Sequence, residues 1–154
     1  MAHRKPKKPS IAEDGSARSW KRLIPNRLEE VEGALLSFES FLSSGPVAEK
    51  TRFNAMLSLE EAVTNVIKYA FADDREHGID VEARLGPSEI VIEVSDDGRE
   101  FDPVSAPPPN FDLPFEERPV GGLGIHLLRK LTSRMAYERA GGRNLLTLVL
   151  ELDP

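Results

Sequence analysis

Residues 79–95, IDVEARLGPSEIVIEVS, hold two runs of mainly alternating apolar and polar residues, 79–85 and 89–95, on either side of Gly86-Pro87-Ser88. Alternation is the period of a half-buried strand, and a short Gly/Pro/Ser break between two such runs joins them as a hairpin. The pattern changes outward in both directions. Upstream, Leu28, Val31, Leu35, Phe38 and Leu42 recur at helical spacing within 27–43, and Phe53, Met56, Leu59, Val63, Val66, Ile67 and Ala70 do so within 47–72. These runs predict two helices with those residues facing the core, preceded by a strand at 19–24. Downstream, the prolines at 103, 107, 108, 109, 114 and 119 exclude a long regular element from 96–122. A connection of that length inside a compact domain is usually functional, commonly as a lid. A helix at 124–133 and two strands at 135–139 and 144–151 around an Ala140-Gly141-Gly142-Arg143 turn complete the series. The order predicts an α+β fold: a two-layer sandwich with a mixed, mostly antiparallel sheet and helices on one face.

Composition narrows the function classes. The 154 residues suit one domain with one core, expected over 18–154 after a disordered, basic, Pro- and Lys-rich tail at 1–17. No apolar run reaches the roughly 20 residues of a spanning helix, and no apolar stretch follows the basic start, so a cytoplasmic protein without a membrane partner is expected. The absence of cysteine excludes a disulfide framework and thiolate chemistry. A net charge of −6 argues against direct nucleic-acid binding, which rests on clustered Lys and Arg.

Three short motifs carry chemistry. In the second helix Glu61 and Asn65 lie one turn apart, each about 160° from Val63 at ~100° per residue. A carboxylate there could accept a proton, and an amide oxygen could ligate a hard cation such as Mg²⁺. Surface helices also carry such pairs by chance. Asp96-Asp97-Gly98 follows a strand, where a carboxylate could accept from the exocyclic amine of adenine and a glycine lets backbone approach the ring; a plain turn is the alternative. Gly121-Gly122-Leu123-Gly124 precedes a helix, and exposed N–H groups at a helix start favour an anion. Neither a P-loop nor a Rossmann fingerprint is present.

Taken in order, EEAVTNVIKYAF at 60–71, VSDDGREFDP at 94–103 and GGLGIHLLRKL at 121–131 resemble the N, G1 and G2 boxes of the GHKL (histidine kinase-like, Bergerat-type) ATPase superfamily. The likeness is nearest to the anti-sigma regulatory serine/threonine kinases and runs from about Ser19 to Leu152. It implies ATP and Mg²⁺ as cofactors, with Asn65 as the metal ligand at the phosphates and Glu61 as general base. Asp96 matches the adenine-reading residue and Gly98 the glycine beside the base. Gly122 and Gly124, with Leu123 between them, match the phosphate-contacting end of the lid. Lys68, one turn beyond Asn65, could reach phosphate or be a plain surface lysine. Glu60 and Asp97 leave a one-residue alternative in each motif. Glu60 is about 60° from Val63 on the helical wheel, which favours Glu61. The chain departs from the family at Glu100, which replaces the usual second glycine of the G1 box.

The resemblance further implies a STAS-type anti-anti-sigma protein as phosphorylation substrate, and leaves open a sigma factor as competing partner and a homodimer as assembly. The alternative is a nucleotide-dependent binding module with little kinase activity. A sensor histidine kinase fits less well, because His3, His77 and His126 have no phospho-acceptor context.

Overall fold

The structure, a computed structural model, describes residues 18–105, 110–117 and 122–153; the expected tail at 1–17 and Gly121 lie outside the described residues. The elements run β1 (Arg18–Pro25), α1 (Val31–Ser43), α2 (Glu49–Tyr69), β2 (Gly78–Leu85), β3 (Glu89–Asp96), α3 (Gly122–Leu131), β4 (Arg134–Ala140) and β5 (Arg143–Glu151). Single 3-10 turns stand at Leu28–Glu30 and Phe115–Glu117.

The strands form one sheet of order β1-β2-β3-β5-β4, and every ladder among the described residues is antiparallel. The mixed sheet expected from sequence is therefore wholly antiparallel here. Two of its features could not come from local patterning. The pair β1 and β2 closes only after both long helices have been made, and β5 inserts between β3 and β4 rather than adding to the edge. That insertion sets Asn144 directly opposite Asp96.

All three helices cover one face. Ile24, Ile79, Val81, Ala83, Leu85, Ile90, Ile92, Val94, Leu148 and Leu150 contribute one parity of the strands to a single cluster with Phe38, Leu42, Leu59, Val63 and Leu128. Trp20 fixes α1 on this face, tilted against Phe38 at 5.1 Å with its indole N–H donating to Ser37 Oγ at 3.0 Å. The opposite face is laced by cross-strand ion pairs, among them Arg84–Glu93 at 3.1 Å and Arg143–Asp80 at 2.8 Å.

Three residues of the helical runs need correction. Phe53 is 64% exposed, not core, whereas Ser58, which is not among the apolar residues expected to face the core, is fully buried with its hydroxyl donating to the Asn54 carbonyl at 2.7 Å. The buried side of α2 is Thr51, Ala55, Ser58, Leu59, Ala62 and Val63. Its small residues admit neighbouring elements closely, and α2 is flanked by both α1 and α3 as well as seated on the sheet. Leu28, expected in the α1 stripe, is exposed in the 3-10 turn that precedes the helix.

Helix α2 ends at Tyr69 with Ala70 as its C-cap, earlier than the periodicity suggests, and the reason lies in β3. The Arg99 N–H donates to the Ala70 carbonyl at 3.0 Å, so the chain leaving β3 caps the helix. Gly98 is pressed there: a Cβ on it would stand 2.6 Å from both Ala70 Cβ and the Ala70 carbonyl oxygen. Helix α3 starts at Gly122, two residues before the expected 124. Among the described residues, no helix is long and apolar enough to cross a membrane.

Candidate nucleotide site

A cleft open to solvent lies between the C-terminal half of α2, the exit of β3 and strands β4 and β5. Its apolar wall is built from Ala62, Val66, Val94, Leu128 and Leu146. Asn65, Asp96, Arg99, Tyr137 and Asn144 supply polar groups at its lining. A mostly apolar cavity with a few polar groups is what a flat heterocycle with an ionic appendage requires.

Asp96 ends β3 with the parity of Val94, which turns its side chain into the cleft; it is 4% exposed. Its Oδ1 accepts the Gly98 N–H at 2.9 Å and Asn144 Nδ2 at 3.0 Å. Asp97, the one-residue alternative, is exposed and faces away, its Oδ1 lying 3.3 Å from His77 Nδ1. Gly98 is buried against Ala70 and Asp96, so the local need for glycine is the contact with the end of α2.

At the other motif the structure brings three residues together. A Cβ on Gly124 would stand 2.9 Å from Glu61 Oε2, and 3.1 and 3.2 Å from the two amide atoms of Asn65. The first turn of α3 thus lies against the carboxylate and amide of α2, and Asn65 also lines the cleft that holds Asp96. Glu60 is exposed. Lys68 is exposed, and its side chain makes no hydrogen bond or ion pair among the described residues. Leu123 is likewise exposed, and Gly122 is the first residue of α3. The chain beyond β3 is tied to α3 by Arg129, whose Nη2 donates to the Pro103 and Val104 carbonyls at 3.1 Å each. Glu100 is exposed, and among the described residues no non-glycine residue has a positive φ, so the backbone at Glu100 does not demand glycine.

Sequence reasoning missed a polar network behind Asp96. Asn144, 6% exposed, donates to Asp96 and, at 2.8 Å, to the Arg99 carbonyl. Its Oδ1 accepts from the Tyr137 hydroxyl at 2.6 Å and from Arg139 Nη1 at 3.0 Å, and Arg139 also donates to the Gly98 carbonyl at 2.7 Å. Burial raises the Tyr137 hydroxyl above its ordinary value, against a backbone N–H from Phe101 that lowers it. The signal in the sequence was a lone Asn at an inward position of the apolar strand 144–151.

A second cluster went unread too. His77 stacks on Phe71 at 4.0 Å, and its Nε2 meets Asp73 Oδ1 at 2.7 Å. The hydrogen bond to Asp73 is the main cause that raises the imidazole above its ordinary value, and it lowers Asp73 in return.

A model of the histidine kinase-like ATPase domain matches residues 24–150. The serine/threonine-protein kinase BtrW of Bordetella bronchiseptica is 29% identical over 105 residues, covering 68% of this chain and 74% of its own. Serine-protein kinase RsbW of Listeria innocua is 27% identical over 112 residues, covering 70% and 71%. Among solved structures, the crystal structure of the RsbU and RsbW domains of Rv1364c from Mycobacterium tuberculosis gives a TM-score of 0.65 at 16% identity, over 89% of this chain and 33% of that one. The histidine kinase domain of the Erythrobacter litoralis EL346 blue-light activated kinase gives 0.50 at 17% identity, over 80% and 60%. At such identities the two structures speak for the fold alone.

Proposed function

The chain belongs to the histidine kinase-like ATPase domain family, and on that premise we propose that it transfers the γ-phosphoryl group of ATP to a serine or threonine of a small partner protein. The observation that carries this reading is the meeting of Glu61, Asn65 and Gly124 at the start of α3, beside a cleft into which Asp96 is turned. The kinase names of the relatives support the reaction type.

In this reading adenine occupies the apolar part of the cleft and donates its exocyclic amine to Asp96. The phosphates lie toward the first turn of α3, where unpaired N–H groups and the helix dipole favour negative charge. Lys68 adds a cation one turn beyond Asn65. The donor chemistry fits Mg²⁺, which keeps to oxygen and takes one or two protein ligands beside phosphates. The likeness of the first motif assigns Asn65 as the protein ligand, and its amide lies against the first turn of α3. Bound there, the ion would neutralise phosphate charge. Glu61 takes the proton of the incoming hydroxyl as its oxygen bonds the γ-phosphorus; the bond from that phosphorus to the β–γ bridging oxygen breaks, and ADP leaves. Phosphoryl transfer asks mainly for positioning and charge neutralisation, which this short list supplies.

The partner reading, a STAS-type anti-anti-sigma protein with a sigma factor as its competitor, rests on the likeness of the three motifs to the anti-sigma regulatory kinases. Incubation with γ-labelled ATP and a panel of STAS proteins tests it. The expected result is label on a partner hydroxyl that appears far more slowly in Glu61→Gln. Tight ATP binding without transfer to any partner would instead establish a nucleotide-dependent binding module.

A further inference from the structure

A buried carboxylate does not by itself select adenine. It accepts from the adenine amine, but guanine offers its own donors, the ring N1–H and the 2-amino group, one position along the same edge. Preference must come from where the carboxylate is aimed, and the network behind Asp96 fixes that aim.

We propose that Asn144, held by Tyr137 and Arg139, is the positioning residue that orients Asp96 and thereby sets the preference for ATP over GTP. The proposal rests on the ATP-site reading above.

The Asn144 amide has only one workable orientation. Its Oδ1 faces the Tyr137 hydroxyl at 2.6 Å and Arg139 Nη1 at 3.0 Å, and a guanidinium has no acceptor, so a flipped NH₂ would meet a donor there. Burial raises the Tyr137 hydroxyl, so it keeps its proton and donates. Nδ2 is thereby directed to Asp96 Oδ1 at 3.0 Å and to the Arg99 carbonyl at 2.8 Å, using both of its hydrogens.

Asp96 Oδ1 then holds two donors, from Asn144 and from the Gly98 N–H. Oδ2 has no partner among the described residues, and the residue lines the cleft, so this oxygen is the one offered to a base. The same network grips the backbone around it, since Arg139 takes the Gly98 carbonyl and Asn144 takes that of Arg99. The β3–β5 register, which pairs Asp96 with Asn144, anchors both ends in the sheet. Carboxylate and flanking loop cannot swing toward the guanine donors without breaking these bonds.

The test is calorimetric affinity for Mg²⁺-ATP and Mg²⁺-GTP in the wild type and in Asn144→Leu, Asn144→Thr and Tyr137→Phe, with circular dichroism and melting to confirm folding. Asn144→Leu should lower the ATP:GTP preference about tenfold, the scale of one hydrogen bond to a charged group. Threonine can both donate to Asp96 and accept from Tyr137, so Asn144→Thr should stay within about threefold of the wild type, and Tyr137→Phe should lose preference by a few-fold. A folded Asn144→Leu protein whose two affinities fall in parallel, leaving the ratio intact, has lost only structure and overturns the proposal. If that variant does not fold, Tyr137→Phe decides, and an unchanged ratio overturns it. A wild type that binds neither nucleotide overturns the ATP-site reading, whereas one that binds both equally leaves that reading standing and overturns the positioning role, since there is no preference to set.

Discussion

Gly124→Ala isolates the contact on which the proposed chemistry depends. The added Cβ would stand 2.9 Å from Glu61 Oε2, and 3.1 and 3.2 Å from the Asn65 amide atoms. Ordinary contacts lie at roughly 3.5–4.0 Å, so the carboxylate must retreat by about half an ångström or more. Both neighbours are ends of side chains, and the backbone need not yield. Stability should therefore hold, since alanine in a helix gains up to ~1 kcal/mol over glycine. Catalysis should not, because a displacement of about 1 Å costs on the order of 10²-fold; about tenfold is expected here. The assay is single-turnover transfer from saturating Mg²⁺-ATP to the partner, with melting temperature measured in parallel. Gly86→Ala, whose Cβ would meet nothing closer than 3.5 Å, is the neutral control. An unchanged transfer rate in Gly124→Ala would refute the placement of Glu61 at the reaction; a collapse in melting temperature would show that the helix, not the carboxylate, had moved.

Three further outcomes follow from the geometry. Glu61→Gln should bind ATP and partner normally but transfer about 10²–10⁴-fold more slowly, the usual scale for losing a general base, while Asn65→Ala should weaken Mg²⁺-ATP binding itself in calorimetry. Gly98→Ala forces a Cβ to 2.6 Å from the Ala70 backbone, so denaturant unfolding should show a loss of about 1–3 kcal/mol, the cost of overpacking. His77→Gln should lower stability most in mildly acidic solution. A histidine whose folded value is raised stabilises fully below its unfolded value near 6.5 and loses that contribution as pH rises through the folded one. Wild type and variant should converge in melting temperature on the alkaline side, and a gap that widens there would exclude the Asp73–His77 pairing as its cause.

What could be read from sequence was what local pattern encodes. Asp96 at the end of an alternating strand and Glu61 and Asn65 one turn apart lie where strand parity and helical angle put them, the first in the cleft and the other two against the first turn of α3. The positions of Phe53 and Ser58 were misread because α2 has three neighbours, and the packing of α1 and α3 rotates its buried side away from the most hydrophobic stripe. Asn144 was invisible for another reason. Its significance lies in being opposite Asp96, and that pairing exists only because β5 enters the middle of the sheet. Gly98 was read as making room for a ligand, whereas the contact that demands glycine is with the helix end at Ala70.

The insertion of β5 also sets a timetable for synthesis. Until residues 143–151 have emerged, β3 presents an unpaired inner edge rich in Ile and Val, and β4 has no strand to join. An open apolar edge of this kind invites association with other nascent chains. The cleft wall formed by Asn144 and Leu146 is missing for the same interval. A chain arrested at Gly142 should thus be unable to retain nucleotide and should depend on chaperones, so that competence to bind arrives in one step with the closing of the sheet.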